Sequence, residues 1–122
     1  MKFFLLVGLG GCIGSVLRAG IGQLFVGFGW STILVNLLGA FLIGLFARYA
    51  EGFSEPDLFK AFWMIGICGG FTTFSSFTLL LVNGLMNASA VEAAIYATFS
   101  VLGGFLAVVT GLIIGQKLLL KP

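Results

Sequence analysis

Apolar residues fill four long stretches of the chain, at about 2–25, 31–49, 58–84 and 91–120, and most polar residues lie in the gaps between them. A helix needs about 20 apolar residues to cross a bilayer. Each stretch is of that order, so the pattern predicts an all-α membrane protein with four transmembrane helices in a single domain, 1–122. The first gap, around Gly27-Phe-Gly-Trp30, carries no charge, and Trp30 suits the aromatic belt at a membrane interface. The second, Glu51-Gly-Phe-Ser-Glu-Pro-Asp57, is the most polar part of the chain. There Pro56 suits the first position of a helix, and Asp57 complements the positive end of its dipole. The third, Asn83-Gly-Leu-Met-Asn-Ala-Ser89, reads as an uncharged turn whose Ser89 caps the last helix.

Composition agrees with the pattern. Hydrophobic residues make up 60% of the 122 and charged residues 8%, against about 25% charged in a soluble domain. A chain this short has no room for a soluble domain beside four spans and is too small to enclose a path by itself, so an oligomer is expected. Net charge is +2 with no basic patch, which excludes nucleic acid as a partner. There is no His, and Cys12 and Cys68 lie in separate apolar runs, so a metal or redox centre built on them is not expected. Both cysteines read as small buried hydrophobes. Lys2, then Phe3–Val7, then Leu9-Gly-Gly-Cys12 imitates a lipoprotein signal. With one charge and a very short apolar run, it reads instead as the start of an uncleaved first helix. Lys2, Arg48, Lys60, Lys117 and Lys121 all fall on the side shared by the termini and the middle loop. The Lys/Arg bias therefore predicts both termini in the cytoplasm.

Chemistry is concentrated in Gly66-Ile-Cys-Gly-Gly-Phe-Thr-Thr-Phe-Ser-Ser-Phe77, near the middle of the apolar run Leu58–Val82. Glycine weakens a helix and threonine bonds backbone carbonyls, so Gly69–Thr73 is expected to unwind near the membrane centre. Unwound carbonyls at that depth suit a hard cation such as Na⁺; the same residues also suit a glycine face for close helix packing. Phe74 and Phe77, three apart, share a helix face, and the positive edge of an aromatic ring suits a small anion. With 14 Phe in the chain, packing is the competing reading for either. Asn36, Tyr96 and Ser100 place donors inside the spans, the last two at i, i+4, and interhelical hydrogen bonding is the competing reading for each. Arg18 is a charge within a span, hence a candidate for facing a cavity or for snorkelling to an interface. Glu51, Glu55, Asp57 and Glu92 lie in the middle loop or at a helix start, so the chain lacks the intramembrane carboxylate or His relay of a proton-coupled transporter. That disfavours a four-helix proton-coupled multidrug exporter. A non-conducting membrane assembly subunit leaves Phe-Ser-Ser-Phe unexplained, and an enzyme lacks any base, nucleophile and metal-ligand set.

Three segments together resemble the Fluc (CrcB) fluoride channels. These are Gly10-Gly-Cys-Ile-Gly14 to Arg18, Thr32-Ile-Leu-Val-Asn-Leu-Leu-Gly39 to Gly44, and the Gly66–Phe77 stretch, in the family's order and spacing. The resemblance implies passive, selective fluoride efflux through two pores in a dimer of antiparallel four-helix subunits in a microbial plasma membrane. It also implies a structural Na⁺ at the dimer centre, held by the backbone carbonyls of Gly69 and Thr72. Phe74, Phe77 and Asn36 would then line the pore, Tyr96 and Ser100 would begin a polar track on the fourth helix, and Arg18 would attract anions in the vestibule. Gly104, one turn beyond Ser100, has no hydroxyl where some relatives have one. The strong Lys/Arg bias is uncomfortable for a homodimer inserted both ways, so the second subunit is expected to be either this chain or an oppositely oriented paralogue.

Overall fold

The computed structural model describes residues 1–25, 29–87 and 89–120. Four helical spans, Lys2–Leu24, Trp30–Gly52, Pro56–Asn87 and Ala90–Leu119, are long and apolar enough to cross a membrane, and no strand occurs among the described residues. The chain is a multi-pass membrane protein. Helix α1 is Lys2–Leu24 and α2 is Trp30–Tyr49, extended by a 3₁₀ turn at Ala50–Gly52. The third span is composite. It comprises α3 (Pro56–Lys60), a π-helical stretch (Ala61–Cys68), α4 (Gly69–Phe71), the non-helical pair Thr72 and Thr73, and α5 (Phe74–Asn87). Helix α6 is Ala90–Leu119.

The helix ends follow local chemistry. Pro56 opens α3 with Asp57 in its first turn, and Ser89 Oγ accepts the Glu92 N–H at 3.1 Å to cap α6. Gly29 precedes α2 at φ 67°, a conformation that favours glycine. Gly27, Phe28, Ala88 and Lys121 lie outside the described residues. Two expectations need correction. Asn83–Asn87, read as a turn, forms the end of α5, because opening backbone hydrogen bonds in lipid costs more than the poor helix propensity of Asn and Gly. Cys12 is exposed on α1, while Cys68 is buried as expected.

Small residues set the packing. A Cβ at Gly10 would strike the Phe62 carbonyl and one at Gly14 the Ile67 carbonyl, while Gly66 and Gly70 meet α1 at Gly10 and Gly11. On the other seam, Gly44 lies against the Val108 carbonyl, Gly111 against that of Phe41 and Gly115 against that of Leu45. Residue numbers rise together along both seams. The molecule is therefore two parallel pairs, α1 with the first half of the third span and α2 with α6. Close backbone approach of this kind supplies the van der Waals contact that holds helices together in lipid. The alternation of directions collects Lys2, Arg48, Lys60 and Lys117 at one end. Val35, Ile67, Cys68, Phe71, Phe77 and Tyr96 form a thin interior. Large side chains point outward instead, as with Phe4 at 75% and Phe105 at 69% exposure, which suits an apolar surrounding. At the charged end, Phe46, Tyr49, Phe53, Phe59 and Trp63 interlock around the middle connector, with Phe53 stacked on Phe59 at 4.5 Å.

Candidate ion pathway

The break in the third span is narrower than Gly69–Thr73. The glycines stay helical in α4, and only Thr72 and Thr73 leave the helix, Thr72 at φ −83°, ψ 158°. Gly70 keeps its place because its missing side chain lets Gly11 of α1 approach. The extended pair exposes backbone groups that would each cost several kcal/mol if left unsatisfied in lipid, and neighbouring side chains meet them. Asn36 Oδ1 accepts the Thr73 N–H at 2.7 Å, and Asn36 Nδ2 donates to the Thr73 carbonyl at 3.0 Å. Arg18 Nη1 donates to the Thr72 carbonyl at 3.1 Å. Thr72 turns its own N–H and hydroxyl back to the Cys68 carbonyl, at 3.0 and 2.9 Å. Thr73 then starts α5 as its N-cap. Its Oγ1 accepts the Ser76 N–H at 3.1 Å and donates to Ser76 Oγ at 3.1 Å, an arrangement that stabilises a helix start by about 1 kcal/mol.

Two hollows flank the break, and Thr73 lines both. The larger is an open groove of about 360 Å³ that brings together Asn36, Gly69, Thr72, Phe74 and Ser100, with Gly104 and Val108 beyond them. Ser100 Oγ is shielded and has no hydrogen-bond partner among the described residues, although a helical serine ordinarily bonds a carbonyl one turn back. Past Ser100 the groove wall offers no further donor side chain. The smaller hollow, about 210 Å³, gathers the Arg18 guanidinium with the hydroxyl-bearing Ser31, Thr32, Thr73 and Ser76. Among the described residues, no Asp or Glu lines either one.

The other expected residues separate. Phe74 is 77% exposed and lines the groove, whereas Phe77 is 9% exposed and belongs to the interior. Their ring centres are 5.9 Å apart, and Phe77 stacks on Tyr96 at 5.5 Å with planes 22° apart. Tyr96 does not reach the groove. Its ring borders a third, mostly apolar hollow of about 420 Å³ with Trp30, Ile33 and Phe99, and its hydroxyl lies beside Thr32. Thr73, Ser76 and Thr32 lie within the stretches singled out in the sequence, but none was given a role of its own there. The first two carried a readable signal, a threonine three residues before a serine at a helix start. Thr32 carried none beyond its place four residues before Asn36.

The whole arrangement lies inside a stretch with known relatives. Residues 5–112 match the family model described as CrcB-like protein, Camphor Resistance (CrcB). The chain belongs to the CrcB family. Similar proteins include one from Hyphomonas neptunium, 39% identical over 97% of this chain and 98% of its own length. One from Thermus thermophilus is 45% identical over 88% and 90%, and one from Rhizobium etli is 40% identical over 93% and 95%. Each bears the name fluoride-specific ion channel FluC. The CrcB match takes in α1 through most of α6, and with them the break, both flanking hollows and Arg18.

Proposed function

We propose that this CrcB protein is a fluoride channel that lets fluoride leave the cell passively and so lowers its cytoplasmic concentration. The observation that carries the reading is the groove beside the break. Among the described residues it holds two side chains with uncommitted donors, Asn36 and Ser100, and no carboxylate, and it is edged by an exposed phenyl ring. Asn36 retains one amide hydrogen beyond the one given to Thr73, and Ser100 Oγ has its hydroxyl uncommitted. A small anion that must shed water meets donors there, while a cation finds no carboxylate. Arg18, in the adjoining hollow, supplies positive potential. Phe74 presents its ring directly and Ser100 continues the path along α6, while Phe77 and Tyr96, stacked on each other in the interior, would support that wall from behind.

The assembly belongs to the same proposal. Two antiparallel copies, or this chain and an oppositely oriented paralogue, pair in the cell membrane with the breaks face to face. Gly69 and Thr72 would hold a structural Na⁺ there through their carbonyls. The fit is supported at Gly69, which is exposed and whose added Cβ would have only the Met64 carbonyl within reach, at 3.8 Å. Its own chain therefore does not need that position to be glycine. Thr72 is extended, which turns its carbonyl off the helix axis. One of that oxygen's two lone pairs meets Arg18 and the other remains for a ligand. Oxygen ligands of this kind suit a hard monovalent cation, which when bound would join the carbonyls of both subunits. Clustering of Lys2, Arg48, Lys60 and Lys117 at one end supports termini in the cytoplasm.

The test is efflux from liposomes containing the purified chain. Fluoride is expected to leave and chloride to be retained. Absence of fluoride flux from this chain, alone and with an oppositely oriented paralogue, overturns the proposal.

A further inference from the structure

We infer that Asn36 and Thr73 are positioning residues for the cation site, because their side chains divert the two N–H groups that a continuous helix would aim at the Gly69 and Thr72 carbonyls. In an α-helix each N–H bonds the carbonyl four residues earlier. By that rule the Gly69 carbonyl belongs to the Thr73 N–H and the Thr72 carbonyl to the Ser76 N–H. Neither N–H follows it. Thr73 N–H goes to Asn36 Oδ1 at 2.7 Å, and Ser76 N–H goes to Thr73 Oγ1 at 3.1 Å. The Cys68 carbonyl, one residue before Gly69, keeps its helical partner, the Thr72 N–H at 3.0 Å. The break also takes the Phe74 and Ser75 N–H groups from the Gly70 and Phe71 carbonyls, but the N–H groups owed to Gly69 and Thr72 are the two held by the side chains of Asn36 and Thr73. Those are the two carbonyls that the cation reading requires.

Each diverting group does a second job that fixes it in place. Asn36 returns a bond to the Thr73 carbonyl, so its amide is held at both ends and cannot rotate without losing both. Thr73 Oγ1 also bonds Ser76 Oγ. Arg18 covers one side of the freed Thr72 carbonyl, which spares it an unsatisfied state in a single chain. Asn36 accordingly serves the cation site through the backbone of Thr73, with one remaining amide hydrogen directed to other uses.

This inference rests on the proposed cation site, and the experiment separates the two. The midpoint of thermal unfolding of the purified assembly in detergent is followed as Na⁺ replaces N-methyl-D-glucamine at constant ionic strength. A site present only in the folded assembly raises that midpoint in a saturable way. Thr73→Val is isosteric and removes the hydroxyl that draws off the Ser76 N–H, and Asn36→Leu removes the acceptor for the Thr73 N–H. Both are expected to raise the Na⁺ concentration for half-effect by about tenfold or more, the equivalent of about 1.4 kcal/mol. Thr73→Ser, which keeps the hydroxyl, is expected to restore the wild-type titration. If Asn36→Leu fails to assemble, Thr73→Val decides. Variants that melt lower at every Na⁺ concentration with an unchanged half-point have only a structural role for these residues, and overturn the inference while leaving the cation site standing. A wild-type midpoint indifferent to Na⁺ overturns the cation site and the inference with it.

Discussion

Ser100 is the position where a single side chain says most about the pathway, since its hydroxyl is shielded, unpartnered and beside the groove. The next position on that face is Gly104, where an added Cβ meets nothing within 4 Å. Gly104→Ser therefore fits without collision, recovers up to about 0.5 kcal/mol of helix propensity, and extends the donors by one turn. It is expected to assemble normally and to conduct fluoride at least as fast as wild type in liposomes; a slower variant places the path elsewhere. The two phenylalanines separate differently. Phe74→Ile alters an exposed ring and is expected to cut flux with assembly and melting unchanged. Phe77→Ile also loses the stack on Tyr96, so a drop in flux is accompanied by a destabilisation of about 1–2 kcal/mol, seen in thermal unfolding. Arg18 has two duties that one substitution divides. Arg18→Gln keeps a donor for the Thr72 carbonyl but discards the charge. If the charge concentrates anions, flux falls several-fold at low ionic strength, and the deficit shrinks as salt screens the wild-type field.

Between elements, the seams consist of backbone against backbone, and this divides the glycines into two kinds. At Gly14 and Gly111 a Cβ would strike a carbonyl of the facing helix, and at Gly22 it meets nothing within 4 Å. Gly14→Ala and Gly111→Ala are expected to cost about 1–3 kcal/mol through overpacking, and Gly22→Ala to be neutral or to stabilise by up to about 1 kcal/mol. Unfolding of each in detergent distinguishes the two kinds. The same seams show what a sequence can disclose here. Gly10 with Gly14 and Gly111 with Gly115 sit four residues apart, the local spacing of a packing face, and all four spans, the helix start at Pro56 and the cap at Ser89 were legible. Partnership was not. Asn36 reaches Thr73 across 37 positions and Arg18 reaches Thr72 across 54, and spacing within one helix carries no record of which residue of another helix faces it. The break was legible as a region. Its confinement to Thr72 and Thr73 was not, because the close approach of Gly70 to Gly11 outweighs the weak helix propensity of the glycines. The π-helical stretch Ala61–Cys68 has no signal in Ala-Phe-Trp-Met-Ile-Gly-Ile-Cys.

For the whole molecule the telling position is Gly69. The chain exposes it, leaves space around it, and sets it near the middle of the span Pro56–Asn87. Two antiparallel copies related by an axis in the membrane plane bring a residue against its own counterpart only at the midplane. Few positions on the third span meet that condition, and Gly69 combines it with a bare backbone. Gly69→Val puts a branched side chain there. Within the chain the change is mild, since the nearest atom to the new Cβ is 3.8 Å away and valine's helix propensity exceeds glycine's. In the proposed dimer it would set two isopropyl groups against each other where carbonyls would converge on one cation. The expected result is a chain with wild-type helicity by circular dichroism and a dimer association constant in liposomes lowered by about tenfold or more, measured by single-molecule photobleaching. Loss of Na⁺-dependent stabilisation and of fluoride flux should follow in the same preparation. A Gly69→Val chain that dimerises like wild type, with its Na⁺ dependence intact, would put the subunit contact on some other face of the four spans.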